Sequence, residues 1–147
     1  ACGWSYKVPD KIIKLAKIAA LNCHSSYLPD YKGSSVYRVQ WANLENFGGA
    51  TVHLMTDKFD SGKIITQERF RISLKDSPND ILIKASEITS ILIREALLLI
   101  ESDYNGIKNI NGRYFLKPNI FNLYFHRFIN LILKMLGSKK RWLTKWK

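Results

Sequence analysis

The sequence predicts an α/β fold, a sheet covered by helices, and three stretches carry that prediction. The apolar run Ile18-Ala19-Ala20-Leu21 ends abruptly in the polar residues Asn22 and His24, the pattern of a buried strand that delivers side chains to a site at its end. Two further strand-like segments, Ala50 to Thr56 and Lys63 to Ile72, flank a polar loop from Asp57 to Gly62. Beyond them Ile81, Ala85, Ile88, Leu92, Ala96 and Leu99 recur at steps of three and four, which gathers them on one helical face able to lie on that sheet.

Taken in order, Gly3 to Pro9 reads as a loop. Pro9 opens a short helix, Asp10 to Lys17, whose Ile12, Ile13, Leu15 and Ala16 are suited to cover a sheet. The strand Ile18 to His24, apolar until its polar end, is expected to be buried on both faces. After the Pro- and Gly-punctuated loop Ser25 to Gly33, Ser34 or Ser35 is placed to cap a helix running to about Asn46, with Val36, Val39, Trp41 and Leu44 among its apolar residues. Trp41 and Tyr37 read as core or rim packing. Gly48-Gly49 is expected to break that helix and start the strand Ala50 to Thr56.

Ser77-Pro78-Asn79-Asp80 then combines a cap, a proline in the first turn and the acceptor of a capping box, so a helix starts there. Asn105-Gly106 and Asn111-Gly112 mark turns around a short strand-like piece. A last helix, Asn119 to Leu136, is stopped by Gly137. It gathers Phe121, Tyr124, Phe125, Phe128, Ile132 and Met135 on one face, with His126, Arg127, Asn130 and Lys134 opposite, where His126 reads as part of a solvated face. The chain thus divides into a core over 1–117 and a basic amphipathic helix and tail over 118–147.

At 147 residues the chain is one domain's worth, with enough apolar content to bury a core. Its net charge of +11 is unevenly spread: all twelve acidic residues precede Arg113 and face fourteen Lys and Arg there, which leaves that part at +2. From Arg113 onward there are nine basic residues and no acidic one, so the basicity belongs to a tail rather than to a fold-wide phosphate-binding face, and nucleic acid is not the expected partner. Two cysteines, Cys2 and Cys23, make no disulfide framework, and the first residues do not form a signal peptide, so a cytoplasmic setting is expected. Ala1-Cys2-Gly3-Trp4 reads like a strand entering a loop, which suggests a chain that begins inside a larger fold.

Asn22 and His24, two apart on a strand, project from the same face. With Asp60 they offer an amide donor for an oxyanion, an imidazole to donate or shuttle a proton, and a carboxylate to orient that imidazole. This set suits direct attack of an amine on an activated acyl group, with no Ser or Cys nucleophile. The plainer roles are a buried structural histidine at His24 and a turn cap at Asp60. No metal is expected: Cys23, His24 and His53 lack ligand spacing, and adjacent strand residues point to opposite faces. His53 itself reads equally as a packed neighbour or a participant.

Leu21-Asn22-Cys23-His24-Ser25-Ser26-Tyr27-Leu28-Pro29-Asp30-Tyr31-Lys32-Gly33, followed by Gly49-Ala50-Thr51-Val52-His53 and Asp57-Lys58-Phe59-Asp60-Ser61-Gly62-Lys63-Ile64-Ile65, resembles the catalytic core of the folate-dependent formyltransferases. The likeness runs from about Gly3 to about Gly106. It implies the C-terminal part of a Rossmann-like sheet with flanking helices, with Asn22, His24 and Asp60 as a catalytic set that activates the formyl group of 10-formyltetrahydrofolate. It also implies folate-pocket positions at Trp4, Tyr6, Lys7 and Val8 and at Met55, Thr56 and Asp57. Ser25 and Tyr27 depart from residues common in the family. Family members begin with two or three further βα units, so the chain reads as an N-terminally incomplete core.

The resemblance implies transfer of a formyl group to a primary amine on a small nucleotide-linked or phosphorylated acceptor, such as an amino-sugar nucleotide or glycinamide ribonucleotide. Methionyl-tRNA formylation, hydrolysis of 10-formyltetrahydrofolate and an inactive remnant are the alternatives. The helix over 119–136 and the cations and indoles of Lys139-Lys140-Arg141-Trp142 and Lys145-Trp146-Lys147 are too polar to span a bilayer. They suit peripheral contact with an anionic membrane, or packing against a second copy or another domain.

Overall fold

The computed structural model describes residues 1–4 and 6–138; the basic tail from Lys139 to Lys147 lies outside the described residues. The elements are α1 (Asp10–Ile13), β1 (Leu21–His24), β2 (Lys32–Gly33), α2 (Val36–Ala42), β3 (Phe47–Leu54), β4 (Ile64–Arg71), α3 (Pro78–Glu101), β5 (Tyr114–Phe115) and α4 (Ile120–Met135). The α/β class is as expected from the sequence.

β1, β3 and β4 form one antiparallel sheet in the order β1-β3-β4. Ala50 and Val52 of β3 and Ile65 of β4 bury themselves beneath Leu92 and Ala96 of α3, with Leu21, Cys23, Ile88 and Leu99 packed around them. α3 starts where expected: the Ser77 hydroxyl accepts from the Asp80 N–H, the Asp80 carboxylate accepts from the Ser77 N–H at 2.8 Å, and Pro78 stands in the first turn. A second cluster joins Trp41 and Ala42 of α2 to Ile81 of α3 and Leu123 of α4. β2 and β5 pair in parallel as a small separate sheet beside Val36, Val39 and Phe115.

Several elements differ from expectation. α1 is a single turn with no buried residue, so its apolar side chains do not cover the sheet. β1 begins only at Leu21, Ile18 is exposed, and Leu21 to Cys23 are half-buried rather than enclosed on both faces. The reason is topological: β1 stands at the end of an antiparallel sheet, where its other neighbour is Cys2, bridged in parallel with the Cys23 N–H donating to the Ala1 carbonyl at 2.9 Å. Ser35, at the start of α2, is left-handed and makes no side-chain cap, and the helix ends at Ala42.

Gly48 and Gly49 lie within β3 rather than before it. Their missing side chains make room for the Phe70 ring and for Tyr27, which a Cβ on either glycine would strike within 2.6 Å. Between the Asn-Gly turns Ile107 makes only an isolated bridge to Ile64, and the strand comes after the second turn, at Tyr114 and Phe115.

The largest reversal is in α4. Its buried residues are Leu123, His126 and Asn130, whereas Phe121, Tyr124, Phe125, Phe128 and Met135 are exposed. His126 therefore faces the body and not solvent. Polar side chains on this face find main-chain acceptors that an apolar face would leave unsatisfied: Arg127 donates to the Trp41 and Leu74 carbonyls at 2.6 and 2.8 Å, and Asn130 to the Ala42 carbonyl at 3.0 Å.

Candidate active site

The sheet register builds the site. Asn22 and His24 share one face of β1, and antiparallel pairing sets Asn22 opposite His53 of β3. The loop after β3 then returns Asp60 to the same place. That loop is tightly pinned: the Asn109 amide donates to the Asp60 and Gly62 carbonyls at 2.8 and 3.0 Å, and a Cβ on Gly62 would stand 1.8 Å from the Leu54 oxygen. Asp60 itself adopts a left-handed conformation at φ +47°, a local cost that the surrounding bonds hold in place.

One Asp60 oxygen accepts the Gly33 N–H at 2.8 Å. The other faces three groups: the Asn22 amide at 3.5 Å, His53 Nε2 at 3.6 Å and His24 Nδ1 at 3.7 Å. Both imidazoles are also held from behind. His24 Nε2 donates to the Tyr31 carbonyl at 2.7 Å and His53 Nδ1 to the Leu54 carbonyl at 2.8 Å. In the neutral His24 ring this bond leaves Nδ1 as the acceptor, and the Asn22 amide lies 3.2 Å from His53 Nε2.

Burial drives the His24 pKa below its ordinary 6.5, against the pull of the Asp60 charge, so the ring is neutral at pH 7. Burial alone acts to raise Asp60, but His53, the His24 ring and the Gly33 N–H outweigh it and hold the carboxyl below its ordinary 3.8. The cluster is thus an anionic carboxylate facing the neutral His24 ring, the His53 ring and an amide. Cys23 takes no part as a nucleophile: burial, then neighbouring Cys2, pushes its thiol up to about 11.

These groups lie in a cleft of about 470 Å³. Trp4, Tyr6, Lys7 and Val8 line one side, Met55, Thr56 and Asp57 another, and Leu82, Ala85 and Thr89 of α3 add a third wall. The structure therefore gathers the three polar residues and all seven flanking positions singled out in the sequence around one space. His53 is the residue that sequence reasoning left undecided; its signal was the alternation of β3, which sets it across from Asn22. Asn109 and the Gly33 N–H gave no local signal, because both act through main-chain bonds formed only in the closed fold.

A short antiparallel sheet under one long helix thus brings an amide, two imidazoles and a carboxylate together at one cleft. Comparison with known proteins gives the family: this chain belongs to the formyl transferases, whose pattern matches residues 1–97. It is similar to the methionyl-tRNA formyltransferase of Limosilactobacillus fermentum, with 32% identity over 114 residues, 77% of this chain and 36% of that protein. Among solved structures it resembles the N-formyltransferase of Helicobacter canadensis in complex with folinic acid and dTDP-3-aminofucose, at 26% identity and TM-score 0.61, over 73% of this chain and 45% of that one. The formyltransferase PseJ of Anoxybacillus kamchatkensis shares the fold at TM-score 0.69 and 23% identity, over 95% of this chain and 71% of that one. The chain spans about a third of the length of the curated relatives it matches, 36% for the first of them.

Proposed function

We propose that the chain carries the site for transfer of a formyl group from 10-formyltetrahydrofolate to a primary amine. The observation that supports this most directly is the approach of Asn22 and His24 to within 3.7 Å of one Asp60 carboxylate oxygen, at the wall of the cleft. The cleft fits the donor: about 470 Å³ lies within the roughly 300–1,000 Å³ of small-molecule sites. Trp4, Tyr6, Val8 and Met55 offer apolar area, and Lys7, Thr56 and Asp57 polar groups, for a ring and its substituents.

When bound, 10-formyltetrahydrofolate supplies the formyl group that is transferred. Asn22 spends one N–H on His53 at 3.2 Å and the other on a long 3.5 Å contact to Asp60. The second N–H is the one free to turn to a formyl oxygen gaining negative charge as the amine attacks. His24, neutral and locked by Tyr31, holds Nδ1 as an acceptor for the proton of the attacking amine and as its donor to the folate nitrogen that leaves when its bond to the formyl carbon breaks. Asp60 stabilises the imidazolium that results and keeps both rings in place.

We further propose a small nucleotide-linked or phosphorylated amine as acceptor, a reading supported by the sugar nucleotide named with the Helicobacter canadensis structure. Methionyl-tRNA is the competing acceptor, favoured by the L. fermentum relative. The test mixes the purified chain with 10-formyltetrahydrofolate and either an amino-sugar nucleotide or methionyl-tRNA, and follows folate absorbance. Turnover should appear with an amine and fall about 10²–10⁴-fold in Asn22→Ala and Asp60→Asn. The proposal fails if the chain neither binds nor consumes the donor, or if both variants turn over undiminished; the amine that supports turnover selects the acceptor.

A further inference from the structure

We propose that Lys32 is a positioning residue for formyl transfer, bracing the turn that carries Asp60 from behind the cleft through Asn109; this rests on the reading of the site given above. Lys32 pairs with Tyr114 across β2 and β5, and its N–H donates to the Arg113 carbonyl at 2.8 Å. The residue is only 9% exposed, and a lysine so enclosed is ordinarily held by a carboxylate. Among the described residues none forms an ion pair with it; its ammonium donates to the Asn109 carbonyl at 3.4 Å. The cleft does not use the cation directly either, since Gly33, Ser34 and Tyr114 line that space and Lys32 does not. Enclosing a cation on so few partners costs free energy, and what it holds is Asn109.

Asn109 carries that hold to the site. Its main chain receives the ammonium, and its buried side chain gives its amide hydrogens to the Asp60 and Gly62 carbonyls at 2.8 and 3.0 Å. Among the described residues its Oδ1 is buried without a hydrogen bond, so the side chain is placed for the two donations alone. The turn needs the restraint. Asp60 is left-handed at φ +47°, a strained conformation for a residue with a Cβ, while its carboxylate must face Asn22, Gly33 and His24 together. The Gly33 N–H that bonds this carboxylate belongs to the peptide directly after Lys32. Lys32 thus braces both sides of that bond, the donor through the chain and the acceptor through Asn109.

The test compares Lys32→Met, Lys32→Arg, Asn109→Leu and the double variant of Lys32→Met with Asn109→Leu, each shown by circular dichroism to be folded at the assay temperature. Lys32→Met should lower kcat about tenfold or more, since small misplacements of a reacting group are costly, and should change the KM for 10-formyltetrahydrofolate less than about twofold. Lys32→Arg, which keeps the cation and its donors, should restore kcat to within about threefold. The double variant should be no slower than Asn109→Leu alone, as for two residues acting along one route. Undiminished kcat in Lys32→Met, failure of Lys32→Arg to restore it, or additive losses in the double variant overturns the proposal. Hydrogen exchange of the Asn109 side-chain amide, followed by nuclear magnetic resonance, needs no turnover; it should be slow in the unaltered chain and in Lys32→Arg, and fast in Lys32→Met. A chain that turns over no amine defeats the formyl-transfer reading, and exchange then decides this one by itself: protection lost in Lys32→Met upholds the brace on Asp60, and protection unchanged overturns it.

Discussion

At the scale of the residue, His24 sets how stability depends on pH. Its folded pKa lies below the ordinary 6.5 of the unfolded chain because the ring is buried, so near pH 6 the unfolded state binds the extra proton. Stability is then full above about pH 6.5 and falls as pH drops through the folded value. Asp60, also depressed, adds stability that is present above its ordinary 3.8 and is lost only as pH falls below it. Urea midpoints measured from pH 8 down to pH 5 should therefore decline, and the decline should flatten in His24→Gln; an unchanged slope in that variant would refute the assignment. The amide and imidazole of β1 were legible because the strand period puts Asn22 and His24 on one face whatever the neighbours. Asp60 was legible as a candidate carboxylate but not as a neighbour of His24, since its arrival depends on a turn held by Asn109, forty-nine residues away along the chain.

At the scale of the element, Gly33 shows how little tolerance the loop closing the site has. Its φ is +113°, and a Cβ would fall 1.9 Å from the Phe115 carbonyl oxygen that lies beside it in the β2–β5 pair. Gly33→Ala should cost about 1–3 kcal/mol from backbone conformation alone, before any shift of β5 is counted, and should lower the melting temperature. It should also reduce formyl transfer, because the Gly33 N–H makes the shortest contact on the Asp60 carboxylate; a variant with unaltered melting and turnover would show the loop to be more pliant than drawn. α3 was readable to the residue, since Ser77, Pro78 and Asp80 specify its start by local bonds. α1 and β1 were not. Their apolar residues carry the right period, but burial is decided by what stands on the open side of the sheet, which a local pattern does not encode.

At the scale of the whole molecule, the orientation of α4 was the feature sequence periodicity inverted. An amphipathic pattern establishes that two faces exist and not which one meets the body. Here the main-chain carbonyls of Trp41, Ala42 and Leu74 claim the polar face. The overall class, the three-stranded sheet with its long helix and the partition of charge were all legible because each sums over many residues.

The bonds on Asp60 carry one more consequence. Its carboxylate is reached from Asn22, Gly33 and His53, and its main chain from Asn109, so four distant parts of the chain meet at a single acid. A chain lacking any of the four loses a contact to Asp60, so the site is complete only when all four segments have come together. The amide proton of Gly33 is accordingly a gauge of cooperativity. In hydrogen exchange it should open with the free energy of global unfolding, not with that of a surface loop, and exchange at a loop-like rate would reveal a site that assembles and dissolves apart from the core.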